Sequence, residues 1–157
     1  MTPDEYLVQA ARAAVECERE TGCPAEVSVA QWALESAWGK RAPGNNCFGI
    51  KDTDRYPDSR YVVTKEYLNG EWRTMKLAFE VYPTLKDCFI DHACLITRLK
   101  SCYGPAWLQY LEDRDLDAYI DGISRYYATD PQYAVKIKKI AHNPRISAAI
   151  AKEREMA

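Results

Sequence analysis

The chain carries no excess of basic residues. Its lysines and arginines number 21 against 23 aspartates and glutamates, so the formal net charge is −2, whereas nucleic-acid-binding domains carry a basic face or stripe. No apolar run reaches the roughly 20 residues that a membrane-spanning helix needs. The first residues, MTPDEYLVQAARAAVE, contain no basic segment followed by an apolar one, and they therefore predict no secretory signal peptide. We expect neither a nucleic-acid partner nor membrane insertion.

Sequence motifs typical of metal-binding sites are also scarce. The only histidines are His92 and His142, and no Cys-x-x-Cys motif occurs, which argues against a zinc site. Neither a metal nor an organic cofactor is expected. Six cysteines are many for a chain kept in a reducing compartment, and they allow fifteen pairings. The sequence leaves open whether any pair forms a disulfide or all serve as small buried apolar residues; they are Cys17, Cys23, Cys47, Cys88, Cys94 and Cys102.

The hydrophobic pattern predicts a mostly helical chain with one hairpin. A capping pattern at residues 2–5 begins the first helix, and Asn69 with Gly70 is a strong hairpin turn signal. With 157 residues, the chain suits a single α+β domain spanning residues 1–157, with a β-lobe at about 52–81. The predicted helices cover about residues 3–20, 28–38, 85–101, 106–112, 115–126, 131–141 and 145–155, and the predicted strands cover about 61–67 and 72–80.

The segment ALESAWGKRAPGNNCFGIK, residues 33–51, holds one acidic residue, Glu35, at the end of an apolar run. Trp32 and Trp38 lie three positions to either side, so on a helix their indoles would neighbour the carboxyl group. Removing water from a carboxyl group raises its pKa, and a carboxylic acid still protonated near neutral pH can donate a proton to a leaving oxygen. Glu35 is therefore a candidate general acid, and the alternative is an ordinary solvent-facing glutamate.

Glycoside hydrolysis usually needs a second carboxylate across the scissile bond. Glu66 lies on the first predicted strand, where a hairpin folded toward the helix end would bring it opposite Glu35. Glu71 follows the turn and is expected at a solvated tip. Spacing alone leaves the choice open among the acids of the hairpin region, which are Asp52, Asp54, Glu66, Glu71 and Glu80.

Four stretches of the chain follow one another in a distinctive order. They are VAQWALESAWGK…NNCFGIK, TKEYLNGEW, FEVYPTLKDCFIDHACLI and YYATDPQYAVKIKKI, and they span about residues 28–141. Together they resemble the bacterial glucosaminidase family of peptidoglycan hydrolases, glycoside hydrolase family 73, whose consensus sequence is close to AQAxLESGWG…NNLFGIK. Ala37 and Cys47 depart from that consensus. Ala37 adds a methyl group in a tight place, and Cys47 is expected to be a small core residue.

The resemblance implies a lysozyme-like fold, in which a helical body and a small β-lobe enclose a sugar cleft. It implies that Glu35 is the general acid and that Glu66, in the TKEY stretch, is the β-lobe acid. Tyr127 matches a family tyrosine that lines the cleft, and Trp38 and Asn46 match positions that shape the site. The implied substrate is the β-1,4-linked N-acetylglucosamine–N-acetylmuramic acid backbone of peptidoglycan. The implied enzyme is an endo-β-N-acetylglucosaminidase, with muramidase as the runner-up and no cofactor.

The biological setting stays open among three possibilities. The high cysteine content and the absence of a signal peptide or wall-anchoring repeat favour an antibacterial effector, delivered by a secretion machine into a rival's periplasm. A cognate immunity protein would then occlude the cleft. A phage endolysin and an autolysin or flagellar hydrolase would share the same chemistry. The capped start of the first helix argues mildly against a fragment of a larger autolysin.

Two further classes of function compete with glycan hydrolysis. A cysteine hydrolase would pair Cys47 with His92 as nucleophile and base, but His92 lies on the apolar stripe of its helix, as a core histidine does. A catalytically inactive wall-binding or assembly module would keep the fold and lose the chemistry. The presence of Glu35, Glu66 and Tyr127 counts against that second alternative.

Overall fold

The computed structural model describes residues 1–51 and 59–156, and the side chains at positions 59–62, 64 and 66 lie outside that description. Within these residues the helices form a body from which one antiparallel hairpin extends, which confirms the α+β prediction. None of the described helices is long and apolar enough to span a membrane. The helices are α1 (Pro3–Thr21), α2 (Ala25–Glu35), α3 (Leu85–Ile96), α4 (Gly104–Asp113), α5 (Leu116–Tyr127), α6 (Tyr133–Ala141) and α7 (Pro144–Glu155), and the strands are β1 (Ser59–Leu68) and β2 (Glu71–Glu80).

Helix α1 begins at the predicted capping box. The hydroxyl of Thr2 accepts the N–H of Glu5 at 3.2 Å, and the Glu5 carboxylate accepts the N–H of Thr2 at 3.1 Å. The helix ends at Gly22, whose φ of +82° lies in the left-handed region that glycine adopts without strain. Helix α1 packs against α2, α3 and α7, and small side chains on its buried face let these helices approach closely; the buried residues are Leu7, Ala10, Ala11, Ala13, Ala14, Val15 and Cys17.

Helix α2 begins earlier than the predicted residue 28 because another helix caps it. Pro24, at the N-cap, makes no side-chain capping bond. Instead the Glu18 carboxylate on α1 accepts the N–H of Ala25 at 2.7 Å. A carboxylate at a helix N-terminus also interacts favourably with the helix dipole. This contact joins residues on two helices, so the local sequence of α2 could not reveal it.

Helix α2 also ends before the predicted residue 38, and the cause is the side chain of Ser36. Its hydroxyl donates to the Trp32 carbonyl at 2.6 Å and accepts the N–H of Gly39 at 2.9 Å. The chain then leaves the helix through three consecutive residues with positive φ, namely Ala37 (+51°), Trp38 (+59°) and Gly39 (+91°). The abrupt turn places the last residue of α2 at the edge of the helical body.

Replacing Ala37 with glycine should stabilise the protein by about 1 kcal/mol, because a left-handed conformation strains any residue that has a Cβ. The free energy of unfolding in urea measures the effect. Ala148→Gly is the matched control, since Ala148 is exposed in the interior of α7; there the same substitution should destabilise by about 1 kcal/mol. A loss of stability in Ala37→Gly would contradict the assignment of strain to this turn.

The hairpin forms at the predicted turn. Asn69 and Gly70 have φ values of +51° and +81°, as the primed turns of two-residue hairpins require. Strands β1 and β2 pair without a bulge over ten residues each. The base of the hairpin joins the body where the N–H of Glu80 donates to the Ile50 carbonyl at 3.0 Å. Residues 52–58, the first part of the predicted β-lobe, lie outside the described residues.

Helix α3 is shorter than the predicted 85–101 and ends at Ile96. The hydroxyl of Thr97 donates to the Ala93 carbonyl at 2.8 Å, and the Tyr119 hydroxyl of α5 donates to the Ile96 carbonyl at 2.6 Å. The bond from Tyr119 satisfies a carbonyl group that a continuing helix would have used, whereas the Ala93 carbonyl also accepts the N–H of Thr97 at 3.0 Å. Ending α3 here leaves Leu95 beside the cleft described below.

Candidate active site

Glu35 lies at the C-terminal end of α2 and lines an open cleft of about 960 Å³. Several segments form the cleft: the end of α2, the loop after Asn46, and the end of α5 with the residues that follow it, joined by Leu95 of α3 and Tyr103 before α4. The glutamate is exposed enough to be reached by a ligand. The lining residues are Glu35, Phe48, Gly49, Ile50, Lys51, Leu95, Tyr103, Arg125, Tyr126, Tyr127, Ala128 and Thr129.

The carboxyl group of Glu35 is held by a chain of two hydrogen bonds. The Tyr133 hydroxyl donates to Glu35 Oε1 at 3.2 Å. Gln31, which is wholly buried, donates from Nε2 to the Tyr133 hydroxyl at 3.0 Å. Partial burial raises the pKa of Glu35 above its ordinary value, and the bond from Tyr133 opposes that rise. The result is an accessible carboxyl group that retains its proton to higher pH than a solvated glutamate does.

Removing the Tyr133 hydroxyl should extend hydrolytic activity to higher pH. In Tyr133→Phe, the bond that favours the ionised form of Glu35 is lost, so the pKa of Glu35 should rise further. A general acid must be protonated, and the high-pH limb of the activity profile should therefore shift to higher pH. Peptidoglycan clearing measured from pH 4 to 9 tests this, with Tyr126→Phe in the same cleft as the control. A limb that stays in place or moves to lower pH would contradict the inferred role of Tyr133.

Tyr127 lines the same cleft and sits in a column of rings. It stacks on Tyr133 with ring centroids 5.7 Å apart and makes a T-shaped contact with His92, with centroids 5.8 Å apart. Burial raises the pKa of the Tyr127 phenol well above its ordinary value, so the hydroxyl stays protonated. Tyr127 can thus offer a hydrogen-bond donor and a ring face to a ligand next to Glu35.

Asn46 shapes the cleft wall from behind. Only 4% of the residue is exposed, and its Nδ2 donates to the carbonyls of Ile50 at 2.8 Å and Glu80 at 3.1 Å. Its Oδ1 accepts the N–H groups of Ile50 at 3.1 Å and Phe48 at 3.4 Å. These bonds fix the loop that carries Phe48–Lys51 and tie it to the end of β2. The structure therefore places Asn46 behind the loop rather than among the residues that line the cleft.

The two indoles lie elsewhere. Trp38 meets Trp32 edge-on, with ring centroids 6.1 Å apart, and neither is among the residues that line the cleft. The aromatic residues that line the cleft are Phe48, Tyr103, Tyr126 and Tyr127. The sequence predicted that the tryptophans remove water from the acid; in the structure Tyr133 bonds the carboxyl group, and Tyr127 stacks on Tyr133.

Glu66 lies on β1, where its backbone pairs with Arg73 of β2. Its side chain lies outside the described part of the chain, as do Asp52 and Asp54. Of the other candidate acids, Glu71 is exposed at the hairpin tip and pairs with Arg73 at 3.6 Å. Glu80 is buried at the base of the hairpin. The role of Glu66 therefore stays a prediction.

Sequence reasoning missed Tyr133 and Gln31 as members of the site. Tyr133 belongs to the YYATDPQYAV stretch, and Gln31 stands one helical turn before Glu35. A helical neighbour of the acid is a usable signal for Gln31. The partnership of Tyr133 with Glu35 crosses 98 positions of sequence, and no local pattern could reveal it.

The geometry gives no support to a cysteine nucleophile. A hydrogen bond with Cys88 and burial raise the pKa of the Cys47 thiol far above its ordinary value, so the reactive thiolate is disfavoured. Burial lowers the pKa of His92, the proposed base of that alternative, to about 3. His92 is wholly buried, as predicted for a core histidine, and neither of its ring nitrogens has a hydrogen-bond partner among the described residues. Across residues 1–51 and 59–156, no group of His, Cys, Asp and Glu side chains is arranged to hold a metal ion.

Comparison with known proteins gives a consistent set of matches. The chain matches the sequence model of the glucosaminidase family, described as mannosyl-glycoprotein endo-beta-N-acetylglucosaminidase, over residues 11–145. It is 34% identical over 149 residues to an autolysin of Enterococcus faecalis, a match covering 88% of this chain and 20% of that protein. It is 38% identical over 124 residues to a probable N-acetylmuramidase of Lactococcus lactis subsp. cremoris, covering 73% of this chain and 27% of that protein.

A solved structure matches almost from end to end. The C-terminally truncated glycoside hydrolase domain of Salmonella typhimurium FlgJ superposes with a TM-score of 0.70 at 28% identity, over 89% of this chain and 95% of that one. By contrast, the chain spans only about a fifth to a quarter of the length of the two curated relatives.

Proposed function

The chain belongs to the glucosaminidase family, and from that premise we propose that it is a glycoside hydrolase that cuts the β-1,4-linked glycan backbone of peptidoglycan. One observation carries the proposal: Glu35 is partly dehydrated, bonded by Tyr133 and accessible in a cleft of about 960 Å³. A carboxyl group in that state can hold a proton near neutral pH and give it to a leaving group. The cleft is roomy enough for sugar rings, and Tyr127 offers one of them a ring face.

In the proposed reaction, Glu35 donates its proton to the glycosidic oxygen while the bond from that oxygen to the anomeric carbon breaks. The oxygen leaves as a hydroxyl group, and Glu35 becomes a carboxylate. The Tyr133 hydroxyl, already aimed at Oε1, stabilises that carboxylate. Because the acid is neutral before the step and charged after it, the hydrogen bond strengthens as the proton departs.

Glu66 is proposed as the second acid, and three roles are compatible with its place on the hairpin. It could attack the anomeric carbon directly, activate a water molecule that attacks this carbon, or stabilise charge while the N-acetyl group of the substrate attacks. In each route the oxygen of a water molecule ends bonded to the anomeric carbon, and a proton from that water restores the protonated acid. A separation of about 5 Å between the two carboxyl groups would favour direct attack, and about 6.5–9.5 Å would favour a water molecule. We propose Tyr127 as a sugar-binding residue, and Trp38 and Asn46 as supports for the turn and loop that border the cleft.

The decisive experiment digests purified peptidoglycan, reduces the products with borohydride and identifies the new sugar end by mass spectrometry. Reduced glucosamine ends are expected, as an endo-β-N-acetylglucosaminidase produces. Reduced muramic acid ends would instead identify a muramidase, which the Lactococcus relative's name supports. The absence of any new reducing end would overturn the proposal and favour an inactive wall-binding module.

We further propose an antibacterial role, in which the enzyme acts in the periplasm or on the cell wall of a rival and a cognate immunity protein occludes the cleft. The Enterococcus relative supports the alternative that such a domain remodels its own cell wall as an autolysin, and the FlgJ domain supports a flagellar hydrolase. The neighbouring genes distinguish these settings. A gene for a periplasm-directed inhibitor of the cleft supports the effector, a holin gene supports a phage endolysin, and neither supports an autolysin.

A further inference from the structure

The two faces of the hairpin differ in chemistry. In the register of β1 and β2, Val63 pairs with Lys76, Lys65 with Thr74, and Tyr67 with Trp72. Cross-strand partners share a face, and alternate residues along each strand share it too. These six residues therefore form one surface, which we call the Tyr67–Trp72 face. Glu66, Arg73 and Glu71 occupy register positions on the opposite face.

All six residues of the Tyr67–Trp72 face are exposed. Trp72 is 72% exposed, Val63 67% and Tyr67 60%. The two rings touch each other, with centroids 5.3 Å apart and planes tilted by 59°. A large exposed indole is uncommon on a surface that has no ligand to bind. The contact between the rings also holds them as a preformed platform.

The exposed part of the Tyr67–Trp72 face is positively charged. Its six residues include Lys65 and Lys76 and no acid, and Glu80, which falls on the same side in the register, is buried at the base of the hairpin. The opposite face mixes the acids Glu66 and Glu71 with Arg73. This positive charge stands out because the whole chain has a formal net charge of −2. Paired aromatic rings offer flat faces for sugar rings, and flanking ammonium groups pair with carboxylates. An uncharged glycan would make no use of the lysines.

We propose that the Tyr67–Trp72 face is a second binding site, for a peptidoglycan strand that bears acidic peptide stems, separate from the cleft that holds Glu35. The aromatic pair contacts the sugars, Lys65 pairs with a carboxylate of muramic acid or of a stem, and Lys76 adds positive charge to the same face. This site rests on the proposed function and deepens it, because it holds the enzyme on insoluble wall material between cuts. It does not depend on the role of Glu66.

The test is co-sedimentation of the full chain with purified insoluble peptidoglycan, in a Glu35→Gln background so that the wall is not digested. Tyr67→Ala with Trp72→Ala should weaken binding at least tenfold. Lys65→Gln with Lys76→Gln should weaken it severalfold and reduce its sensitivity to salt, since screened ion pairs are lost. Leu99→Ala and Lys139→Gln, exposed on the helical body, are the matched controls and should bind as the parent does.

A second measurement separates this site from the cleft. In otherwise wild-type protein, the aromatic double variant should lose much more activity on insoluble peptidoglycan than on a soluble fragment of two to four sugars. Equal losses on both substrates, or undiminished binding of the double variant, would overturn the second site. If the parent protein and the variant with both Lys65→Gln and Lys76→Gln bound uncharged chitin tightly, the assignment to an acidic strand would be overturned. Should the wild-type chain release no new sugar ends, the proposed function fails instead.

Discussion

Replacing Glu35 with glutamine should lower the rate of peptidoglycan hydrolysis by roughly 10³-fold, within the range that general acid catalysis contributes. The glutamine amide keeps the shape of the side chain and can still meet the Tyr133 hydroxyl, but it has no acidic proton to give. The measurement is the release of new reducing ends from purified peptidoglycan. Because activity needs the protonated acid, wild-type activity should also fall as pH rises through the raised pKa of Glu35.

The melting temperature of Glu35→Gln distinguishes a loss of catalysis from a loss of folded protein. Burial raises the pKa of Glu35, which means that the folded protein disfavours the ionised carboxylate relative to the unfolded chain. At neutral pH, Glu35→Gln should therefore melt at the same temperature as the wild type or slightly above it. Glu71→Gln, at the exposed hairpin tip, should change neither activity nor melting. Hydrolysis that survives in Glu35→Gln would refute the assignment of the general acid.

The second large effect concerns acid stability and His92. Its side chain is wholly buried, stacks on Phe48 with ring centroids 3.9 Å apart, and has a pKa lowered by burial to about 3. In the unfolded chain the same group titrates near 6.5. Between these two values the unfolded state binds a proton that the folded state does not. The free energy of unfolding should therefore fall by about 1.4 kcal/mol for each pH unit below 6.5, or by about 3 kcal/mol at pH 4.

His92→Leu removes the titrating group and two buried ring nitrogens that have no hydrogen-bond partner in the described part of the chain, so its stability at pH 7 should match or exceed that of the wild type. Its free energy of unfolding should then fall less between pH 7 and pH 4, and urea unfolding at the two pH values measures the difference. His142→Gln is the control, because His142 is exposed beside Asp117, and this variant should keep the wild-type difference. An undiminished fall in His92→Leu would show that other groups govern acid stability.

Much of the fold follows from patterns within a few residues of one another. The Thr2 capping box, the apolar stripe of α3 and the Asn69–Gly70 turn each specify an element. Helix α1 and the hairpin turn form where they were predicted, and α3 begins where it was predicted but ends five residues earlier. The boundaries of α2 were wrong by three residues at each end because a carboxylate on α1 caps its start and the Ser36 hydroxyl closes its end. A cap supplied by another helix leaves no mark in the local sequence.

The sequence by itself determined the family, the helical body with its hairpin, and the glutamate at the end of an apolar helix. Those properties depend on periodicity, turn residues and ordered motifs, which are local. Only the tertiary structure decided that Tyr133 bonds the carboxyl group of Glu35 and that Tyr127, rather than Trp32 or Trp38, lines the cleft beside it. The cleft joins Glu35 to residues 125–129, which follow it by 90 positions or more, and its hydrogen-bond partner Tyr133 is 98 positions away. The pKa of a carboxyl group depends on which groups exclude water from it, whatever their distance along the chain.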